Sequence, residues 1–105
     1  MSTQSHVVTD NSARHRFEIA LDAREIAIAD YMLRDGKILF THTEVPAGYE
    51  GQGVGTALIR FALAAARDRG LKVVPICPFF ADYMKKHAEV QDLLDPDWRE
   101  KLGLD

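Results

Sequence analysis

The stretch Gly51-Gln-Gly-Val-Gly-Thr-Ala-Leu-Ile-Arg-Phe-Ala-Leu-Ala-Ala-Ala-Arg-Asp-Arg-Gly70 decides how this chain is read. Val54, Ala57, Leu58, Phe61, Ala62, Ala65 and Ala66 recur at the three- and four-residue spacing that lines one face of an α-helix. Arg60, Arg67 and Arg69 fall on other faces, and Gly70 supplies a stop. Gly51, Gly53 and Gly55 alternate where this helix begins. The first N–H groups of a helix have no intrahelical acceptor and lie at the positive end of its dipole, so a helix start attracts anions. Glycines there let a phosphate come close to the backbone.

Upstream, the period of the pattern is two. Phe17, Ile19 and Leu21 alternate with Arg16, Glu18 and Ala20, as in a strand with one buried face, and Asp22-Ala-Arg24 reads as a turn. Glu25 to Leu33 again has strand spacing, with Ile26, Ile28 and Asp30 on one side, and stops at the hairpin signal Arg34-Asp-Gly36. Lys37 to Val45 is a third strand, ended by Pro46. Downstream, the short apolar run Leu71 to Cys77 is expected to be a buried strand beside the third one. Phe79, Phe80, Tyr83 and Met84 mark a second helix to His87, and Ala88 to Asp105 reads as a covering segment with one helical turn at Asp97 to Lys101. Residues 1–13 are polar and aperiodic and are expected to be disordered, leaving 14–105 as a single domain. The expected fold is α/β, in the order β-β-β-α-β-α, with a mixed antiparallel and parallel sheet and flanking helices.

Composition narrows the function. A chain of 105 residues leaves room for one core, and 47% hydrophobic with 28% charged residues is an ordinary globular balance. A net charge of −3 gives no positive field for a phosphate backbone, so no nucleic-acid partner is expected. No apolar run approaches the roughly 20 residues of a membrane span, and the first residues lack the apolar centre of a signal peptide. The expectation is a cytoplasmic protein without a membrane partner. Cys77 is the only cysteine, so no internal disulfide forms, and no His/Cys cluster has zinc-ligand spacing, so no metal is expected.

Spacing separates the phosphate-binding turns. A P-loop needs Gly-Lys followed by Ser or Thr, whereas Gly53 and Gly55 are followed by Val54 and Thr56. A dinucleotide fingerprint needs a third glycine where Thr56 or Leu58 stands, and an acidic residue that the strand Leu71 to Ile76 does not end on. Glu50-Gly-Gln-Gly-Val-Gly55, in contrast, resembles the Q/R-x-x-G-x-G/A signature of the GNAT superfamily of acyl-CoA-dependent N-acyltransferases. The run from Thr41-His-Thr-Glu-Val-Pro46 through this turn to Val73-Val-Pro-Ile-Cys-Pro-Phe79 is similar to a short GNAT-like family that lacks much of the usual N-terminal substrate-binding portion. The likeness covers residues 15–95. Glu50 departs from the usual Arg or Gln; a carboxylate gains nothing from a pyrophosphate, so it is expected to point away.

The resemblance implies acetyl-CoA, or another acyl-CoA, as cosubstrate. Its pyrophosphate would sit on the amides of Gly51, Gln52, Gly53, Val54, Gly55 and Thr56, and its pantetheine arm would run beside the strand ending at Val45. The thioester would lie where that strand and Leu71 to Cys77 splay apart. In the short family a His and a Cys matching His42 and Cys77 are the catalytic suspects. Acyl transfer needs a deprotonated amine and a proton for the departing thiolate. His42 and Glu44, two apart on one strand, share a face, and either is a candidate base. Cys77 is a candidate acid or acyl carrier, the first role preferred. Tyr83 resembles the tyrosine acid of larger GNAT enzymes and is its rival. His6, His15 and His87 show no partner in the sequence. The expected function is N-acyl transfer to an amine, on a small molecule or a protein; the alternative is a CoA-binding module that senses or scaffolds without turnover.

Overall fold

The computed structural model describes residues 6–104. Five strands form one mixed sheet in sequence order: β1 (Val8–Asn11), β2 (Arg16–Ala20), β3 (Ile26–Arg34), β4 (Lys37–Glu44) and β5 (Lys72–Pro75). The first four are antiparallel neighbours, and β5 is parallel to β4. Between β4 and β5 lies α1 (Val54–Asp68); after β5 come α2 (Pro78–Lys86), a 3₁₀ segment (Ala88–Leu93) and α3 (Pro96–Lys101). The predicted α/β fold with a mixed sheet is therefore the observed one. The β3–β4 hairpin turns where expected, with Asp35 (φ 51°) and Gly36 (φ 77°) both left-handed, as a two-residue turn of right-twisted strands requires. Among the described residues, no helix is long and apolar enough to cross a membrane.

The buried face of β3 is the one opposite Ile26, Ile28 and Asp30. Register puts Ala27 opposite Ile19 and Ala29 opposite Phe17, so the alanines and Tyr31 join the core. Ile26 is left 39% exposed on the other side. Small side chains on the inner face leave room for α1. The stripe of α1 is rotated from the expected one: Ile59 and Leu63 join Val54, Leu58, Ala62 and Ala66 inside, while Phe61 stays 43% exposed with its ring edge against Phe17. Turning two larger aliphatic chains inward in place of Ala57 and Ala65 removes more apolar surface from water. From α2, Phe80 stacks on Phe40 of β4 with ring centroids 4.1 Å apart. Both helices thus pack on one face of the sheet, and Asp30, His42 and Glu44 lie on the other.

Two further differences concern the ends of the chain. Of the expected disordered segment, residues 1–5 lie outside the described residues, but Val8–Asn11 forms the edge strand β1. Its inward positions are Val8, opposite Ile19, and Asp10, opposite Phe17, which is why no apolar alternation announces it. Asp10 accepts a hydrogen bond from the Tyr31 hydroxyl (2.6 Å) and an ion-paired one from Arg69 Nη2 (2.7 Å), just past the end of α1. At the other end, the covering segment holds the 3₁₀ segment as well as the expected helical turn, and Leu94 bridges Val73 beyond the β5 edge. Asp95, 5% exposed, caps α3 through the Asp97 N–H and pairs with Lys37 Nζ at 2.8 Å. The lysine bond holds the Asp95 carboxyl below its ordinary range, and the Lys37 ammonium is raised in turn.

Burial, together with the bond to Asp10 and its charge, pushes the Tyr31 hydroxyl from 10.0 up to about 12. A group whose pKa is raised by folding stabilises the fold fully below its unfolded value and loses that contribution as pH climbs to the folded one. Stability should therefore fall between about pH 10 and 12, and urea titrations across this window should show a shallower fall for Tyr31→Phe. At neutral pH, Asp10→Ala strands the hydroxyl and should cost about 1–2 kcal/mol; an unchanged urea midpoint would mean that β1 is not docked.

Candidate active site

Strand β4 serves two neighbours over different lengths. It pairs with β5 from Lys37 opposite Lys72 to Phe40 opposite Pro75, and the Cys77 N–H then donates to the Phe40 carbonyl at 2.8 Å. Beyond that point β4 continues to Glu44 against β3 alone, so a gap opens between it and the chain leaving β5. The register against β3 shifts at the same place: Tyr31 faces Phe40 and Asp30 faces His42, leaving Thr41 as a bulged extra residue. A bulge reverses the facing of every side chain after it. Phe40 points to the helices, and without the bulge His42 and Glu44 would too. Instead they follow Asp30 and Ile28 onto the opposite face, and Thr43, opposite Ala29, turns towards the helices.

The predicted catalytic residues are divided accordingly. His42 and Glu44 do share a face, with Nε2 and Oε2 3.7 Å apart and both side chains exposed. Cys77 lies on the helix side, 7% exposed, at the N-cap of α2 and directly before Pro78. Its Sγ is 3.4 Å from Thr43 Oγ1, a partner that strand alternation alone would have turned away. The sheet therefore separates Cys77 from the His42 and Glu44 pair. Tyr83 is not at the glycine turn: its ring stacks on His87 (3.8 Å between centroids), whose Nδ1 is 2.7 Å from the Tyr83 carbonyl oxygen. His87 thus has a partner after all, at the four-residue helical spacing that the sequence displays.

At the glycine turn, Gly51 (φ 81°) and Gly53 (φ 80°) are left-handed, and Gly53 is the N-cap of α1 without any side-chain cap. Ala57 is the first residue of this turn whose N–H reaches back, to the Gly53 carbonyl. The N–H groups of Val54, Gly55 and Thr56 are consequently left at the helix start. They border a cleft of about 420 Å³, lined by Val45, Gly51, Gly53, Val54, Gly55 and Thr56. Gln52 is not part of the lining; its side-chain amide donates to the Gly48 carbonyl at 3.1 Å, and its own carbonyl lies 3.4 Å from His6 Nε2. Glu50, expected to point away, borders the cleft, as do Tyr49 and Phe79. Among these residues none is basic, so the donors for an anion there would be backbone N–H groups and the Thr56 hydroxyl.

The loop is strapped from outside. Tyr49 donates to Asp22 Oδ2 at 2.6 Å, while Asp22 Oδ1 takes the N–H groups of Arg24 and Glu25 in the β2–β3 turn. The Tyr49 bond holds the Asp22 carboxyl below its usual range and raises the tyrosine hydroxyl. Neither this strap nor the Phe79 wall was readable from spacing, because each joins segments far apart in the chain.

A family model described as GCN5-related N-acetyl-transferase matches residues 16–93. The chain belongs to this family. The part matched to the GCN5-related N-acetyltransferases runs from β2 to the end of the 3₁₀ segment, and so contains the β4–β5 gap, the glycine turn and Cys77, but neither β1 nor α3. No curated protein matches the chain.

The left-handed glycines can be tested independently of any ligand. A Cβ on Gly53 would meet no atom within 4 Å, so Gly53→Ala exposes the backbone conformation alone. It should cost about 1–2 kcal/mol in urea denaturation. A loss near zero would mean that the loop relaxes out of this conformation.

Proposed function

We propose that this protein is an acyl-CoA-dependent N-acyltransferase with acetyl-CoA as cosubstrate and an amine as acceptor. The observation that carries this reading is the uncapped start of α1, bordering a cleft beside the gap between β4 and Cys77. The cleft suits a CoA pyrophosphate: N–H groups in place of side-chain cations, and an apolar edge at Val45 and Phe79 for the arm. Acetyl-CoA supplies the acyl group as a thioester. The backbone of residues 51–56 holds its phosphates, and Val45 flanks the arm.

The two faces of the sheet divide the protons. Cys77, on the helix side with Thr43 beside it, gives a proton to the departing thiolate. On the other face, His42 or Glu44 takes a proton from an amine arriving from solvent, both being exposed there. Tyr83, packed on His87, has no part in this scheme. The open access to His42 and Glu44 favours an acceptor presented from outside, on a small molecule or a protein chain.

Acetyl-CoA should raise the melting temperature, and thiol should be released only when an amine is present. Melting that rises without turnover across a panel of amines would favour a CoA-binding module. Cys77→Ala and His42→Ala should each lower kcat by about 100-fold, and full activity in both would overturn the assigned roles. Glu50→Gln removes a negative charge from the cleft and should tighten CoA about two- to fivefold at low salt, an advantage that disappears as salt is raised.

A further inference from the structure

Gly55 differs from the other two glycines of the turn. It is not left-handed, so the backbone does not demand glycine there, and within a helix alanine is the more stable residue. What excludes a methyl group is one side chain: a Cβ on Gly55 would lie 2.6 and 2.7 Å from two ring atoms of Phe79. The same point is 3.7 Å from Val45 Cγ2, so ring and valine flank the bare Cα together. Phe79 nevertheless stays 44% exposed and borders the cleft. Thr43 and Cys77, each two residues earlier on β4 and at the start of α2, touch at 3.4 Å. Val45 and Phe79 thus flank Gly55 at the cleft, and two residues earlier on the same two segments Thr43 meets Cys77.

Resting on the acyl-CoA reading above, we propose that Phe79, seated on Gly55, is the residue that positions the acyl-bearing arm of the cosubstrate between the α1 amides and Cys77. In this role the third glycine serves the ring, and only the first two serve the turn. A methyl at position 55 would run into Cε2 and Cζ at the tip of the ring and unseat it. Gly55→Ala and Phe79→Ala then remove the same wall.

The test uses two probes on the full chain by calorimetry: acetyl-CoA, and 3′-phospho-ADP, which carries the same nucleotide pyrophosphate without the arm. Gly55→Ala, Phe79→Ala and the double variant should each weaken acetyl-CoA to the same extent, roughly tenfold, a coupling typical of residues in contact. Phe79→Ala, which leaves the α1 backbone untouched, should bind 3′-phospho-ADP as the parent does. Additive losses, or equal losses for both probes in Phe79→Ala, would overturn the role of Phe79 while leaving the CoA site standing. If the parent protein binds neither probe, the acyl-CoA reading itself falls, and this inference with it. Should Gly55→Ala fail to fold, Phe79→Ala decides alone, since removing an exposed ring leaves the start of α1 intact: loss confined to acetyl-CoA supports the proposal, and loss of both probes or of neither overturns it.

Discussion

The arrangement of this molecule depends on strand β4 satisfying two partners that end at different places. Its hydrogen bonds to β5 stop at Phe40, while those to β3 run on to Glu44. The backbone at residues 41–44 consequently has a paired edge and an unpaired one, and the unpaired edge borders the gap. The bulge at Thr41 sits at this branch point and fixes which side chains face which way. Four residues in a row then alternate with the opposite phase from Ile38 and Phe40. A strand without the bulge would keep the same sheet but direct His42 at the helices and Thr43 at solvent.

The glycine loop shows how flexibility is confined. The left-handed glycines lead into an α1 start without a side-chain cap and leave a segment with much conformational entropy to lose. Two bonds offset this. Tyr49 is tied to the β2–β3 turn through Asp22, and Gln52 closes the loop on itself through the Gly48 carbonyl. The second bond explains why Gln52 is outside the cleft: its side chain holds the loop's shape. Glu50 borders the cleft and brings a negative charge to it, so attraction of an anion there would depend on the number and orientation of the amides.

What the sequence announced was local. The hairpin at Asp35-Gly36, the helix from Val54, the glycine stop and the parallel strand after it each depend on neighbouring residues, and each stands where the pattern put it. The features it hid are contacts between distant segments. Asp10 looks like part of a polar tail until Tyr31 and Arg69 meet it. The inward face of β3 could not be chosen between Ile26/Ile28 and Ala27/Ala29 without knowing that a helix must lie close to it. The pairing of Cys77 with Thr43 needs the bulge, which alternation cannot register because it breaks alternation. In the sequence Phe79 marks only a helix and Tyr49 carries no signal, until Gly55 and Asp22 give them a place.

These distant contacts are not spread evenly. Arg69 follows the last turn of α1 and Lys37 opens β4, so the Asp10 and Asp95 ion pairs both lie at the end of the molecule opposite the start of α1 and the end of β4. Each pair ties a terminal element, β1 or α3, that lies outside the span matched to the GCN5-related N-acetyltransferases. A domain of this size buries a limited fraction of its surface and has little stability in reserve. Fastening the far end lets the near end keep uncapped amides, three left-handed glycines (Gly48, Gly51 and Gly53) and an unpaired strand edge, all of which cost stability, without loosening the sheet that sets Cys77 and His42 on opposite sides.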